Sequence, residues 1–154
     1  MSCFYVQLLL FAIPMARIKL DIPDTLPFIT EMAVRITDVN YGNHLANDAL
    51  LGMLHEARMR FLKYYGYSEM NMEGVSMIMA DSAIVYRGEA FFGDILQVSV
   101  GPADFSNKGF DFLYRMVCPQ AQRQIALAKT GMVCFDYKTR KPQPLPQAFR
   151  ERFE

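Results

Sequence analysis

The sequence has no excess charge of either sign: sixteen basic and sixteen acidic residues balance to zero and lie along the chain without long runs. That leaves no basic footprint for a nucleic acid. Cysteine is scarce. Cys3, Cys118 and Cys134 are odd in number and show no C-x-x-C spacing, which excludes a disulfide framework and a zinc site of the usual spacing. Reduced thiols are the expectation, with Cys118 and Cys134 acting as small buried hydrophobes in a cytoplasmic protein. No internal repeat or low-complexity segment interrupts the chain. Long apolar runs are also missing. Phe4 to Ile13 is the longest candidate, too short to span a bilayer, and no Lys or Arg precedes Arg17 to make the basic start of a secretory signal. Residues 1–14 are therefore read as an N-terminal extension, and residues 15–154 as the functional domain.

What is present suits one folded unit. A length of 154 residues with 52% hydrophobic and 21% charged residues supports a single domain with a substantial core. The hydrophobic share leaves little polar surface, so an oligomer that hides part of it is expected. Arg17 to Ile22 alternates polar and apolar residues and reads as a short strand closed by Pro23. Phe28 to Ile36 is rich in β-branched and apolar residues and reads as another. Tyr41-Gly42-Asn43 is a turn signal. From Leu45 to Tyr65 apolar residues recur every three or four positions, which predicts a mostly buried helix stopped by Gly66. Four further strands follow: Val75 to Tyr86, Ile95 to Phe105, Phe110 to Val117, and Ile125 to Tyr137. The tail, with Pro142, Pro144 and Pro146, cannot continue a central strand. The sum is an α+β domain, an antiparallel sheet wrapped around one long helix.

Between the second strand and the helix, Asp38, Asn40, Asn43, His44, Asn47 and Asp48 crowd into one loop and helix entry. Polar groups placed against an apolar helix need partners or a use. Asn43 suits a helix cap, and Asn40 either orients a reactant or stabilises the loop through backbone bonds. Farther along, Glu56 and Arg60 are spaced to pair across one helical turn. Gly52 on the same stripe leaves room for another helix or for a ligand chain. Met70, Met72, Met77 and Met79 are read as core packing, with an adaptable pocket as the alternative.

Three stretches resemble the hotdog-fold acyl-CoA thioesterases of the 4-hydroxybenzoyl-CoA thioesterase-like group. His44-Leu45-Ala46-Asn47 followed by His55-Glu56-Ala57-Arg58 is similar to the family's helix motif. Tyr86 to Asp94 resembles its Gly-Asp connection between two strands, and Phe135 to Pro146 its last strand and basic exit. The resemblance implies hydrolysis of an acyl-CoA or acyl-carrier thioester by a carboxylate-assisted mechanism, in a homodimer or dimer of dimers, with no cofactor or metal and no membrane partner. Its catalytic set would be Asp38, Asn40 and His44, with Glu56 as the reserve carboxylate. Tyr41, Gly42, Asn43, Leu45, Asn47 and Arg87 would meet the substrate, and backbone N–H groups of Asn43 to Ala46 would hold the oxyanion. One departure matters. The family's aspartate falls on Asn40 in an ungapped alignment, while Asp38 stands two residues earlier. A hotdog enoyl-CoA hydratase or dehydratase, or a non-catalytic acyl-thioester binding module, stand as alternatives.

Overall fold

The computed structural model describes residues 18–154. The 1–14 extension, Cys3 and Arg17 lie outside the described residues. Ser76–Tyr86 (β2), Ile95–Ala103 (β3), Gly109–Cys118 (β4) and Arg123–Asp136 (β5) are strands, joined by Phe28–Ala33 (β1) and the two-residue Lys141–Pro142 (β6). All pairings are antiparallel, in the order β1-β3-β4-β5-β2, with β6 on β5. The helix Asn47–Tyr64 (α1) lies in the curl of this sheet, and a second helix, Gln147–Phe153 (α2), closes one end. This is the expected hotdog arrangement.

Alternation along the strands builds the core. Leu96, Val98 and Val100 of β3 and Phe110, Phe112, Tyr114 and Met116 of β4 are buried on one face, where they meet Leu50, Met53, Leu54, Ala57, Phe61 and Leu62 of α1. Cys118 and Cys134 are buried among them, as expected. Burial pushes the Cys134 thiol up to about 11. The methionines divide: Met72 and Met77 are core residues, whereas Met70 and Met79 are exposed. Helix α1 is less buried than its sequence suggests. Asp48, Gly52, His55, Glu56, Arg60 and Lys63 stay exposed along its outer face, because a curled sheet covers only one side of a helix. Its stop is as expected: Gly66 takes φ +82°, and the N–H groups of Gly66 and Tyr67 bond the carbonyls of Lys63 and Leu62, a Schellman cap.

Three expected elements change. The Phe28 to Ile36 strand ends at Ala33, and Ile36–Asp38 forms a 3₁₀ turn. The helix begins at Asn47 rather than Leu45, since Leu45 is held in a bridge to Val39 and its N–H bonds the Ala90 carbonyl at 2.8 Å. Residues 18–22 form no strand. Their alternation instead reports one face packed on the outside of the sheet, where Ile22 is buried against Leu113 and Leu127. The Arg115 guanidinium pins this strap by donating to the carbonyls of Ile22, Pro23 and Asp24 at 2.6–3.0 Å. Helix α2 was not expected from the proline-rich tail. Phe149 and Phe153 dock it on Phe61, Tyr65, Tyr67 and Phe110, and Arg152 lies over the Tyr65 ring at 4.8 Å while donating to the Tyr65 carbonyl.

Candidate active site

The polar loop is tied by its own backbone. The Asn40 side-chain oxygen accepts from the Gly42 N–H at 2.9 Å, an Asx-type turn. The Asn43 N–H bonds the Asn40 carbonyl, and the Asn40 N–H bonds the His44 carbonyl. Asn43 sits at φ +63° in this reversal, so it is a left-handed turn residue and not the helix cap. The cap position belongs to Ala46, which has no side-chain bond to give. A Cβ on Gly42 would lie 3.0 Å from the His44 ring nitrogen Nε2, so glycine lets the imidazole settle onto the turn. Tyr41 is fully exposed.

Three of the four backbone donors expected to hold the oxyanion are already engaged. The N–H groups of Asn43, Leu45 and Ala46 are consumed by the carbonyls of Asn40, Ala90 and Asp38. The first turn of α1, with no capping side chain, leaves the N–H groups of Asn47, Asp48 and Ala49 without intrahelical acceptors. These open donors lie about one turn beyond the expected set, at the positive end of the helix dipole.

Asp38 is buried, its residue only 5% exposed. Its oxygens accept from Arg35 three times: Oδ2 from the backbone N–H at 2.9 Å and Nε at 3.1 Å, and Oδ1 from Nη2 at 2.9 Å. Those hydrogen bonds outweigh burial and hold the Asp38 carboxyl below its usual range, so it is ionised at neutral pH. Charge-assisted bonding of this kind favours the anion.

The first turn of α1 separates two depressions. One, of about 590 Å³, runs between β1 and α1 and is lined by Asp38, Met32, Ala33, Ala49, Gly52, Met53 and Glu56, with Arg60 at its far end. The other, about 250 Å³, is lined by His44, Leu45, Asn47, Leu50, Tyr86 and Glu89. The expected catalytic residues are thus divided, Asp38 and Glu56 on one side and His44 on the other. The Leu45 carbonyl, an acceptor only, lies 3.2 Å from His44 Nδ1, so Nδ1 carries the proton and Nε2 faces Glu89 at 4.0 Å. Glu56 pairs with Arg60 at 2.8 Å, as its spacing predicts, and Arg60 also donates to Thr30 Oγ1 and the Glu31 carbonyl, both at 2.9 Å. Arg87 lines a separate depression with Ile18, Lys19 and Leu20.

Several residues at these sites carried no signal in the sequence. Arg35, Glu31 and Glu89 are ordinary surface charges until the fold brings them to Asp38, to the far end of the groove and to His44. Only Arg35 had a local cue, its three-residue spacing from Asp38. Arg58 stood in the helix motif without an assigned role. It is buried on α1 and donates to Glu69 at 2.9 Å and to the Tyr114 hydroxyl at 3.5 Å, which in turn meets Thr130 at 2.9 Å.

A curled antiparallel sheet around one long helix, with a polar loop at the helix entry, defines the hotdog class of proteins. The chain belongs to the thioesterase-like superfamily, whose family model matches residues 34–153. A comparison with curated proteins gave no match. Among solved structures, a 1,4-dihydroxy-2-naphthoyl-CoA thioesterase from Synechocystis is similar at 25% identity and TM-score 0.71, over 80% of this chain and 92% of that one. The fold is shared with a probable thioesterase from Escherichia coli, at 23% identity and TM-score 0.69 over 80% of this chain and 94% of that one. It is shared too with a gentisyl-coenzyme A thioesterase, at 16% identity and TM-score 0.70 over 80% of this chain and 99% of that one.

Proposed function

We propose that this thioester hydrolase cleaves acyl-CoA or acyl-carrier thioesters to the free acid and thiol, with Asp38 as the working carboxylate. The observation that carries the reading is an ionised carboxylate held in a groove wall beside the first turn of α1, where three backbone donors have no intrahelical acceptor. A carbonyl oxygen directed at the N–H groups of Asn47, Asp48 and Ala49 gains stabilisation as negative charge develops on it. Asp38 takes a proton from water as the water oxygen bonds the acyl carbon. Collapse of the tetrahedral species breaks the C–S bond, and the thiolate leaves with the electron pair. Arg35 keeps Asp38 charged and aimed. Asn40, Gly42 and Asn43 shape the loop, and Asn40 Nδ2 is free of the Asx turn to meet substrate. His44 and Asn47 serve from the neighbouring depression, Tyr41 and Leu45 border the entry, and Arg87 meets coenzyme phosphates. Glu56 is the reserve carboxylate, already neutralised by Arg60.

The proposal includes a cytoplasmic homodimer or dimer of dimers that uses no metal or cofactor. Support for the dimer comes from β2, an eleven-residue strand at one end of the sheet order. Met79 is exposed on it, and a long open edge of this kind is suited to pairing with a second copy. Among the described residues no helix is long and apolar enough to cross a membrane.

Assaying the protein against a panel of acyl-CoA esters with a thiol reagent tests the activity. Thiol release that disappears in Asp38→Asn supports the reading, and no release from any ester overturns it. Crotonyl-CoA separates the alternatives: loss of the enoyl absorbance without thiol marks a hydratase. Saturable binding without turnover marks a binding module, a reading favoured by Asn40 standing at the family's aspartate position.

A further inference from the structure

The β1–α1 groove has a gap in its floor. Its helical wall is the stripe Ala49, Gly52, Met53 and Glu56, and Gly52 sits between the apolar entrance near Asp38 and the Glu56–Arg60 pair at the far end. Glycine in the interior of a helix weakens it relative to alanine, so its presence there needs a local reason. Backbone geometry supplies none, since Gly52 is not among the glycines with positive φ. Close packing supplies none either: a Cβ built on Gly52 meets nothing within 4 Å among the described residues, so none of them presses on it. What glycine provides at this place is open space in the groove, whose volume of about 590 Å³ is that of a small-ligand site.

We propose that Gly52 sets the length of acyl chain this enzyme accepts, by keeping the groove continuous from the Asp38 end to the Glu56–Arg60 end. The inference rests on the thioesterase reading with Asp38 as its carboxylate. The occupant is the acyl portion of the substrate, placed with its thioester carbon at the first turn of α1 and its tail along the helix. Three residues of helix advance about 4.5 Å, so Gly52 faces the acyl chain a few carbons beyond the carbonyl. Glu56 follows one turn later, where Arg60 is clamped to Thr30 and the Glu31 carbonyl and closes the far end.

Gly52→Ala and Gly52→Leu, assayed on a ladder of straight-chain acyl-CoA esters from acetyl to dodecanoyl, test this directly. A graded loss is expected, with Gly52→Leu lowering the octanoyl-to-butyryl ratio of kcat/KM by about tenfold or more, and Gly52→Ala by less. The loss should fall on KM for the longer esters. Thermal melts of both variants show whether each remains folded, and titration of each, combined with Asp38→Asn, with octanoyl-CoA follows binding without turnover. Wild-type turnover with a chain-length profile unmoved in folded Gly52→Leu overturns the proposal and leaves the thioesterase reading standing. Absence of wild-type turnover on the whole straight-chain ladder overturns the proposal, and the thioesterase reading falls with it only when the full acyl-CoA panel also releases no thiol.

Discussion

Arg35 and Asp38 close a 3₁₀ turn on each other: the Arg35 backbone N–H and guanidinium both bond the Asp38 carboxylate, at 2.9–3.1 Å, while the arginine side chain remains 73% exposed and the aspartate side chain 6%. A solvent-facing cation thus controls a buried anion at the mouth of the groove. Such an arrangement can be altered from outside without disturbing the core.

Arg35→Ala should move the acidic limb of the kcat/KM profile to higher pH. Arg35 is the main cause of the lowered Asp38 pKa, and that limb reports the base in the free enzyme. The sign for stability follows the same way. A carboxyl depressed in the folded state contributes stability above its unfolded value of about 3.9, and loses it as pH falls through the lower folded value. The variant should therefore be less stable than wild type at neutral pH, by a difference that shrinks as pH falls through that window. Added salt should shrink both differences, since the arginine is exposed. Rate profiles and acid melts at two ionic strengths measure these shifts, and an unmoved acidic limb contradicts the assignment of Asp38.

Asp38→Asn keeps the shape of the side chain and removes the base. A loss in kcat of between about 10² and 10⁴ is expected for a positioned proton acceptor. Glu56→Gln should have a much smaller effect, because Glu56 is already paired with Arg60. Steady-state assays of the two variants side by side decide which carboxylate works.

Arg58→Met should be among the most destabilising single changes on α1. It strips Glu69 of a charged partner 2.8 Å away, and the Tyr114 hydroxyl of one of its two contacts. Removing one member of a largely buried pair costs about 3 kcal/mol, readable as a lower urea midpoint. A midpoint equal to wild type would show that the pair contributes nothing.

Two glycines give opposite signs. Gly66 has φ +82°, and a Cβ added there would meet nothing within 4 Å, so Gly66→Ala should cost about 1 kcal/mol through backbone strain alone. Gly52→Ala should gain about 0.5–1 kcal/mol through helix propensity. Melting temperatures that shift in the same direction would refute the account of one of the two.

Cys134 and Cys118 should stay unreactive toward thiol reagents in the native protein and react on unfolding. Both are buried, and the Cys134 thiol is pushed up to about 11 by that burial, leaving little thiolate at neutral pH. Peptide mapping after labelling, with and without denaturant, reads this out.

Periodicity alone determined most of the fold, because burial imposes a repeat of two on strands and of 3.6 on helices. Four strands were legible for that reason, and so was the Glu56–Arg60 pair, which needs only helical spacing; the stop of α1 was legible because Gly66 suits the left-handed cap. The strap at residues 18–22 alternates like a strand yet pairs with no described strand, since alternation records which face is buried and not whether an edge lies alongside. Helix α2 was hidden because its stability comes from aromatic contacts with residues distant in sequence. The polar loop was legible as a site by its composition. Its internal division was not: which N–H groups are already spent on Asn40, Ala90 and Asp38, and which remain open at Asn47 to Ala49, depends on hydrogen bonds that only the folded chain assigns. Tertiary structure likewise decided that Asp38 and His44, six residues apart, face different depressions, because the first turn of α1 stands between them.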